Sequence, residues 1–563
     1  MSRRRVLVSV YAVVIAGLVA VGPRLAAGAG GVASVRADEL RTWLTYVASD
    51  QLEGRGTFSA GLGLAAAYIQ DHLTGWGVRP AGDGGSYLQT VRVRGVRSSS
   101  RSSVTVQIGR QTRTFKDGDG VTFSRNAGGR QQLVINRVEF VGYGLDVPAE
   151  GHVDFGARNV KGAAVVWLGS EGPDTLDPSR YRRLLAGRGR YAIEQRGAGA
   201  SIGPPPSPAR AAATAGTNTG RGGGAADTTP HFTTAQRLDA SIAPAVTVSD
   251  AFLTFLFSAA PVRYPELKRL AIAKDPLPSF PLDDVTITFN VDVDYTVVRT
   301  QLTHNVVGIV EGSDPALMDT YVALGAHYDH VGYAETEANA AGTERPGAPG
   351  RITAGAVADP IWNGADDDGS GTVALMALAK AFVQGERPRR SLLFVWHAGE
   401  ERGLLGSRYF ADHPTVPLDA VVAQLNLDMI GRNRDDSPAE ANTVYLVGSD
   451  RISSELHELS RAANRALPEP LTLSYELNDP ADTEQLYTRS DHYSYAAKGI
   501  PIIFFTTGLH PDYHTNTDEV SKIEFAKLQR VTQLVYETVA RVANLDHAPA
   551  RDNQGPRAGK DTR

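Results

Sequence analysis

The sequence predicts an α/β protein whose C-terminal half is a mostly parallel sheet covered by helices on both faces. Three observations carry this. From Asn305 onward, short runs dense in Val, Ile, Leu and Phe alternate with segments of helical period, as strands joined by helical crossovers do. Those runs are apolar throughout rather than alternately polar, which fits strands buried on both faces. Polar and charged residues gather directly after the runs, where an open α/β sheet presents its working groups at the carboxyl ends of strands.

Taken in order, the chain opens with Arg3, Arg4 and Arg5, an apolar run at 6–21 and the small residues Ala27-Gly28-Ala29. This reads as a signal peptide over 1–29, cleaved rather than kept as an anchor, and predicts export to a periplasmic or extracellular space. Residues 35–130 are expected to form a helical and strand part of the main unit. Leu40, Trp43, Leu44 and Val47, then Leu62, Leu64, Ala65, Tyr68 and Leu73, fall at helical spacing on either side of a break at 53–60. Alternating runs at 87–93, 104–108 and 133–141, followed by strand-like 162–169, lead into a β-rich unit expected over 131–284. Inside it, 198–234 is rich in Gly, Ala, Pro, Thr and Arg and reads as a flexible surface loop.

A helix at 249–257 and a β-type run at 285–297 bring the chain back. Strands then fit 306–310, 321–326, 392–396, 421–427, 444–447 and 500–505. Helices fit 371–383, 404–412, 451–466 and 523–542, the last with Phe525, Leu528, Val531, Leu534, Val535 and Val542 on one face. The main unit is expected over 285–545, and the charged tail 546–563, having no core, is expected to be disordered.

Composition narrows the chemistry. At 563 residues the chain exceeds one ordinary core, and 42% apolar with 21% charged residues is globular usage. A net charge of −5 gives no general electrostatic case for nucleic acid or an anionic membrane. The chain has no cysteine, so disulfides, thiolate nucleophiles and Cys-type zinc sites are all excluded, and His, Asp and Glu are left as strong metal ligands.

The ends of the predicted strands carry a consistent set of groups. His327-Tyr328-Asp329 follows 321–326, Glu400-Glu401 follows 392–396, Asp428 follows 421–427, and Tyr513-His514 lies a short loop beyond 500–505. The turn Gly364-Ala365-Asp366-Asp367-Asp368-Gly369-Ser370-Gly371 leads into a helix. Singly, each has an ordinary explanation: a structural histidine, an aspartate capping a helix, a solvated acidic pair. Together, two histidines and at least four carboxylates converge on one rim without a matching set of Arg or Lys, which points to bound metal. Imidazole with carboxylate suits Zn²⁺, and a carboxylate bridging two ions plus two further ligands for each uses five side chains. A sixth carboxylate then remains as a general base.

The segments HYD, GADDDGSG, GEERGLLGS, LNLDM and YHTNTDE, in this order, closely resemble the M28 family of co-catalytic zinc peptidases over 305–542. The resemblance implies an α/β/α sandwich of the zinc aminopeptidase type, two Zn²⁺ per chain and a peptide substrate. It implies that Asp367 bridges the ions, that His327 and Asp428 complete one site, and that Glu401 and His514 complete the other. Glu400 would be the general base, Asp329 would orient the His327 ring, and Tyr513 resembles a tyrosine that hydrogen-bonds the tetrahedral intermediate. Residues 140–172 resemble a protease-associated (PA) insert, and 50–61 the lead-in of larger family members. The expected activity is that of an exported aminopeptidase. A carboxypeptidase or dipeptidase on the same two ions would need a cation for the substrate carboxylate, for which Arg408, Arg432 and Arg489 are available. A glutaminyl-cyclase-like acyltransferase would hold one zinc. A silent binding ectodomain would lack a ligand or the base, and none is missing.

Overall fold

A computed structural model describes residues 31–178, 180–205, 230–335 and 348–553. The signal peptide expected over 1–29 lies outside the described residues. No helix among them is long and apolar enough to cross a membrane.

The main sheet contains β1 (Leu88–Ser100), β2 (Val293–Val310), β3 (Tyr321–His327), β4 (Ser391–His397), β5 (Val421–Leu427), β6 (Thr443–Val447), β7 (Thr472–Ser474) and β8 (Ile502–Thr506). Its spatial order is His231–Thr234, β1, β2, β4, β3, β5, β8, β6, β7, with Arg79–Pro80 added beside β2. The centre is parallel: β3 pairs with β4 and β5, and β5 with β8. β1, β2 and β4 run antiparallel to their neighbours on one flank, and β6 runs antiparallel to β8 on the other. The fold is thus the mixed, centrally parallel α/β sheet the sequence predicts.

Side-chain alternation builds the two faces. Along β4, Leu392, Phe394 and Trp396 enter one core while Leu393 and Val395 enter another. The first face is covered by α1 (Ala37–Val47), α2 (Ala60–Trp76), α3 (Gly371–Gln384), α5 (Ser454–Ala466) and α6 (Phe525–Ala543). The second is covered by α4 (Leu405–Asp412) and the short helix His492–Ala496. Ser59 and Ser453 accept N–H bonds in the first turns of α2 and α5, and Gly77 ends α2 in the left-handed conformation.

A second, ten-stranded sheet has its own core of Val104, Val106, Phe140, Ile202, Phe252, Ile287 and their neighbours. It draws strands from Ser103–Ile108 through Val285–Val291, so it extends beyond the expected 131–284 at both ends. One of its inner strands is Ala200–Gly203, inside the stretch expected to be a loop. Gly203 lacks a side chain for a reason: a Cβ there would lie 2.1 Å from the Trp167 ring. At the other end of that stretch His231–Thr234 pairs with β1, so only 206–229 of the expected loop lies outside the described residues. The expected disordered tail also differs. Asp552 accepts a hydrogen bond from the backbone N–H of Ser454 at 2.8 Å, and Ala550 donates to Glu455 at 3.0 Å. The partners missing from its own sequence are supplied by the first turn of α5. Residues 554–563 lie outside the described residues.

Candidate metal centre

The loops after β3, β4, β5 and β8 and the acidic turn before α3 meet on one rim. His327, the last residue of β3, is buried, and its Nδ1 lies 3.0 Å from the backbone carbonyl of Asp329. A carbonyl only accepts, so Nδ1 carries the proton and Nε2 turns a lone pair toward the rim. That nitrogen lies 3.2 Å from Asp367 Oδ1 and 3.7 Å from Asp428 Oδ2.

The three consecutive aspartates divide the work. Asp366 Oδ1 accepts from the Gly431 N–H at 2.7 Å. Asp368 accepts from the N–H groups of Gly371 at 2.9 Å, Met429 at 3.3 Å and His327 at 3.1 Å. Asp368 is used up in tying loops together, and the other oxygen of Asp366 lies 3.4 Å from His510 Nε2. Asp367 alone turns its carboxylate to the rim, its own N–H donating to Asp518 at 3.1 Å. Its Oδ2 lies 3.1 Å from His514 Nε2, so its two oxygens face different histidines.

Gly399 decides the fate of the acidic pair. It has φ +75°, and a Cβ there would come within 3.1 Å of Leu405. The turn is closed by the N–H groups of Gly403 and Leu404 donating to the Glu400 carbonyl at 2.8 and 2.9 Å. Both acids therefore reach the rim from adjacent positions. Glu401 lies between two imidazoles, Oε1 at 3.0 Å from His330 Nδ1 and Oε2 at 3.1 Å from His514 Nε2. Glu400 instead lines a cleft together with Asp428, Arg489 and Tyr513.

The electrostatics separate the two glutamates. Burial pushes Glu400 well above the usual carboxylate range, and Glu401 and Asp491 add to this against the pull of His327. Burial acts on Glu401 too, but His514 and His330 hold it down at about 2. Asp367 is likewise held well below its usual range, against its burial, by His327 and His514. Neighbouring acids whose affinities for a proton are driven apart suit different roles.

Among the described residues, two groups of atoms have the spacing of a cation site: His327, Asp367 and Asp428, and His330, Asp367 and Glu401. The donor separations of 3.2 and 3.7 Å in the first and 3.0 and 3.9 Å in the second bracket a simple expectation. Around a tetrahedral ion with bonds of about 2.0–2.1 Å, neighbouring donors lie about 3.3 Å apart. His330 Nδ1, Asp367 Oδ2 and Glu401 Oε1 are all buried without a hydrogen-bond partner, which is costly unless a cation satisfies them. The residues present fit two metal ions.

All five expected ligand residues, His327, Asp367, Glu401, Asp428 and His514, are brought together. Asp329 acts differently from expectation. Its carbonyl orients His327, while its carboxylate, 3.7 Å from that ring, accepts from the Glu400 N–H at 3.1 Å and the Thr57 hydroxyl at 2.7 Å. The loop turns back so sharply that the main chain reaches the ring first. Tyr513 stacks on His514 with ring centroids 4.0 Å apart, and its hydroxyl accepts from Arg489 at 3.0 Å. Of the three arginines considered for a substrate carboxylate, Arg432 is bound to Asp512 and Asp436 at 2.8 and 2.6 Å, and Arg489 lines the cleft. Sequence reasoning missed His330, although it directly follows HYD, and Ser490, which donates to Asp428 at 2.6 Å.

Residues 305–539 match the model of Peptidase family M28. Leucine aminopeptidase 1 of Trichophyton equinum is 26% identical over 250 residues, 43% of this chain and 58% of that protein. Aminopeptidase YwaD of Bacillus subtilis (strain 168) is 29% identical over 194 residues, 32% of this chain and 39% of that protein. The chain thus spans 58% of the one relative's length and 39% of the other's. Among solved structures, an aminopeptidase from Aneurinibacillus sp. strain AM-1 superposes with a TM-score of 0.43 at 18% identity, covering 93% of this chain and 96% of that one.

Proposed function

We propose that this chain, whose residues 305–539 match the model of Peptidase family M28, is a dinuclear zinc exopeptidase, an aminopeptidase that removes N-terminal residues from peptides. The observation that carries this reading is the pair of clusters sharing Asp367, with Glu400 beside them in the cleft. His327, Asp367 and Asp428 would hold one ion, and Asp367, Glu401 and His514 the other. When bound, the metal supplies Lewis acidity toward the scissile carbonyl and makes water a competent nucleophile near neutral pH.

The chain's own groups do the rest. Glu400 takes a proton from the attacking water and passes it to the leaving amine, a role suited to a carboxylate whose pKa burial has raised. The Asp329 carboxylate fixes the backbone of Glu400. Tyr513 accepts from Arg489 and so has its own hydroxyl proton free to donate to the oxyanion. The aminopeptidase names of the relatives support cleavage at the N-terminus. The same reading takes 1–29 as an export signal and the second sheet as a PA-type module.

Arg489 favours a second reading, a carboxypeptidase or dipeptidase, since it places a guanidinium in the cleft where a substrate carboxylate would be gripped. Zinc stoichiometry together with hydrolysis of free, N-acetylated and C-amidated peptides decides. The aminopeptidase cleaves only substrates with a free amine and holds two zinc ions. Equal cleavage of free and acetylated peptides overturns it, loss of cleavage on amidation supports the second reading, and one zinc per chain supports an acyltransferase.

A further inference from the structure

Beyond the five residues assigned above, the rim holds a third histidine. His330 is fully buried, and neither ring nitrogen has a hydrogen-bond partner. A neutral imidazole sealed in a protein is ordinarily satisfied on at least its N–H side, so an orphaned one requires an explanation. Its Nδ1 is 3.0 Å from Glu401 Oε1 and 3.9 Å from Asp367 Oδ2, and both of those oxygens are themselves without a hydrogen-bond partner. At 3.0 Å the nitrogen and the Glu401 oxygen are close enough for a hydrogen bond but not aligned for one. Atoms that approach without facing each other face something in common.

The placement of this ring is built. The His330 N–H donates to the Arg55 carbonyl at 3.1 Å, which ties the loop after β3 to the segment between α1 and α2. Opposite the ring, Gly364 leaves the space: a Cβ there would lie 2.5 Å from His330 Cγ and Cδ2. A histidine held by one distant segment and accommodated by a glycine of another is positioned rather than incidental.

We propose that His330 is a fourth protein ligand of the second ion, joining Asp367, Glu401 and His514. The two sites then differ in kind. A zinc with four protein ligands is closed, as structural zinc sites are, whereas one with three keeps a position for water or substrate. The His327–Asp367–Asp428 site is therefore the one open to water and substrate. The ion beside His330 is held more tightly and serves to fix Asp367 and His514. This inference rests on the dinuclear reading above and sharpens it by making the sites unequal.

The test uses the full chain loaded with zinc, dialysed against a graded chelator, with metal content read by atomic emission. Wild-type protein is expected to release one zinc readily and retain the second. In His330→Ala and His330→Gln the retained zinc is weakened at least about tenfold, a loss comparable with or larger than that from a supporting group. Melting curves separate a ligand from a packing residue. A ligand variant keeps the melting temperature of the metal-free protein and loses part of the rise that zinc produces; a packing variant lowers the metal-free value and keeps the rise. Zinc retained by both variants with wild-type affinity overturns the proposal while leaving the dinuclear reading intact. A wild-type chain that binds no zinc, or only one, overturns both.

Discussion

Glu400 and Asp329 act on each other through one hydrogen bond, and the two predict different failures. Glu400→Gln keeps the shape and leaves the ligand clusters intact, so kcat should fall by about 10²–10⁴-fold while zinc content stays at the wild-type level. Near-normal turnover would remove Glu400 from the mechanism. Asp329→Ala removes the acceptor for the Glu400 N–H and the Thr57 hydroxyl, so kcat should drop about 10–100-fold with little change in KM. A change confined to KM would show that Asp329 does not position the base. At this scale the residue types and their places after buried strands could be read from the chain, because an acid there needs a counter-charge. The identity of the group orienting His327 could not, since a main-chain carbonyl leaves no mark in a sequence. Nor could His330 be singled out, for its position depends on a contact with Arg55, far away in the chain.

Among the elements, α6 carries a testable electrostatic cost. Lys527 is buried on this amphipathic helix, donating to Asn433 at 2.9 Å and to the Glu440 carbonyl at 2.7 Å. Burial, only partly offset by Asp366 and Glu440, lowers its pKa to about 8 from 10.5. Between those values the unfolded chain holds the proton that the folded chain has released, so stability contributed by this site rises as pH rises from about 8 to 10.5. Thermal melts of Lys527→Met against wild type should show the variant lacking that part of the upward slope. Parallel slopes would contradict the assignment. Most strands and helices of the main sheet were legible, since wholly apolar runs and a strong helical period leave little choice. Ala200–Gly203 was not, because Gly203 answers to the Trp167 ring and carries no local signal for a strand.

For the molecule as a whole, the two sheets are joined by the long ribbon of β1 and β2, whose pairing runs from Val293–Ser100 to Val306–Leu88. Contacts from the second unit also reach the cleft. Arg190 donates to Thr488 at 2.8 Å, and Arg183 lies 2.9 Å from Glu484, whose carboxylate also binds Arg489 at 3.0 Å. Arg183→Ala should therefore alter KM more than kcat, and an unchanged KM for a series of peptides would exclude this unit from substrate recognition.

The guanidinium of Arg55 gathers the carbonyls of Val47 at 2.6 Å, Tyr328 at 2.9 Å, Asn363 at 2.7 Å and Gly364 at 2.9 Å. It lies outside the segment that matches the family, yet it fastens two loops of the metal rim, and β1 covers the edge of β2 from outside that segment as well. The consequence concerns how the chain assembles. Residues made first must wait for partners some three hundred positions later, so the rim closes only through contacts of very large sequence separation, which are slow to form. A fragment limited to 285–545 should aggregate or bind zinc weakly, having a bare strand edge and the carbonyls of Tyr328, Asn363 and Gly364 without their donor. Supplying 31–100 as a separate chain should restore both solubility and metal binding, and light scattering with zinc titration of the mixed fragments measures that recovery.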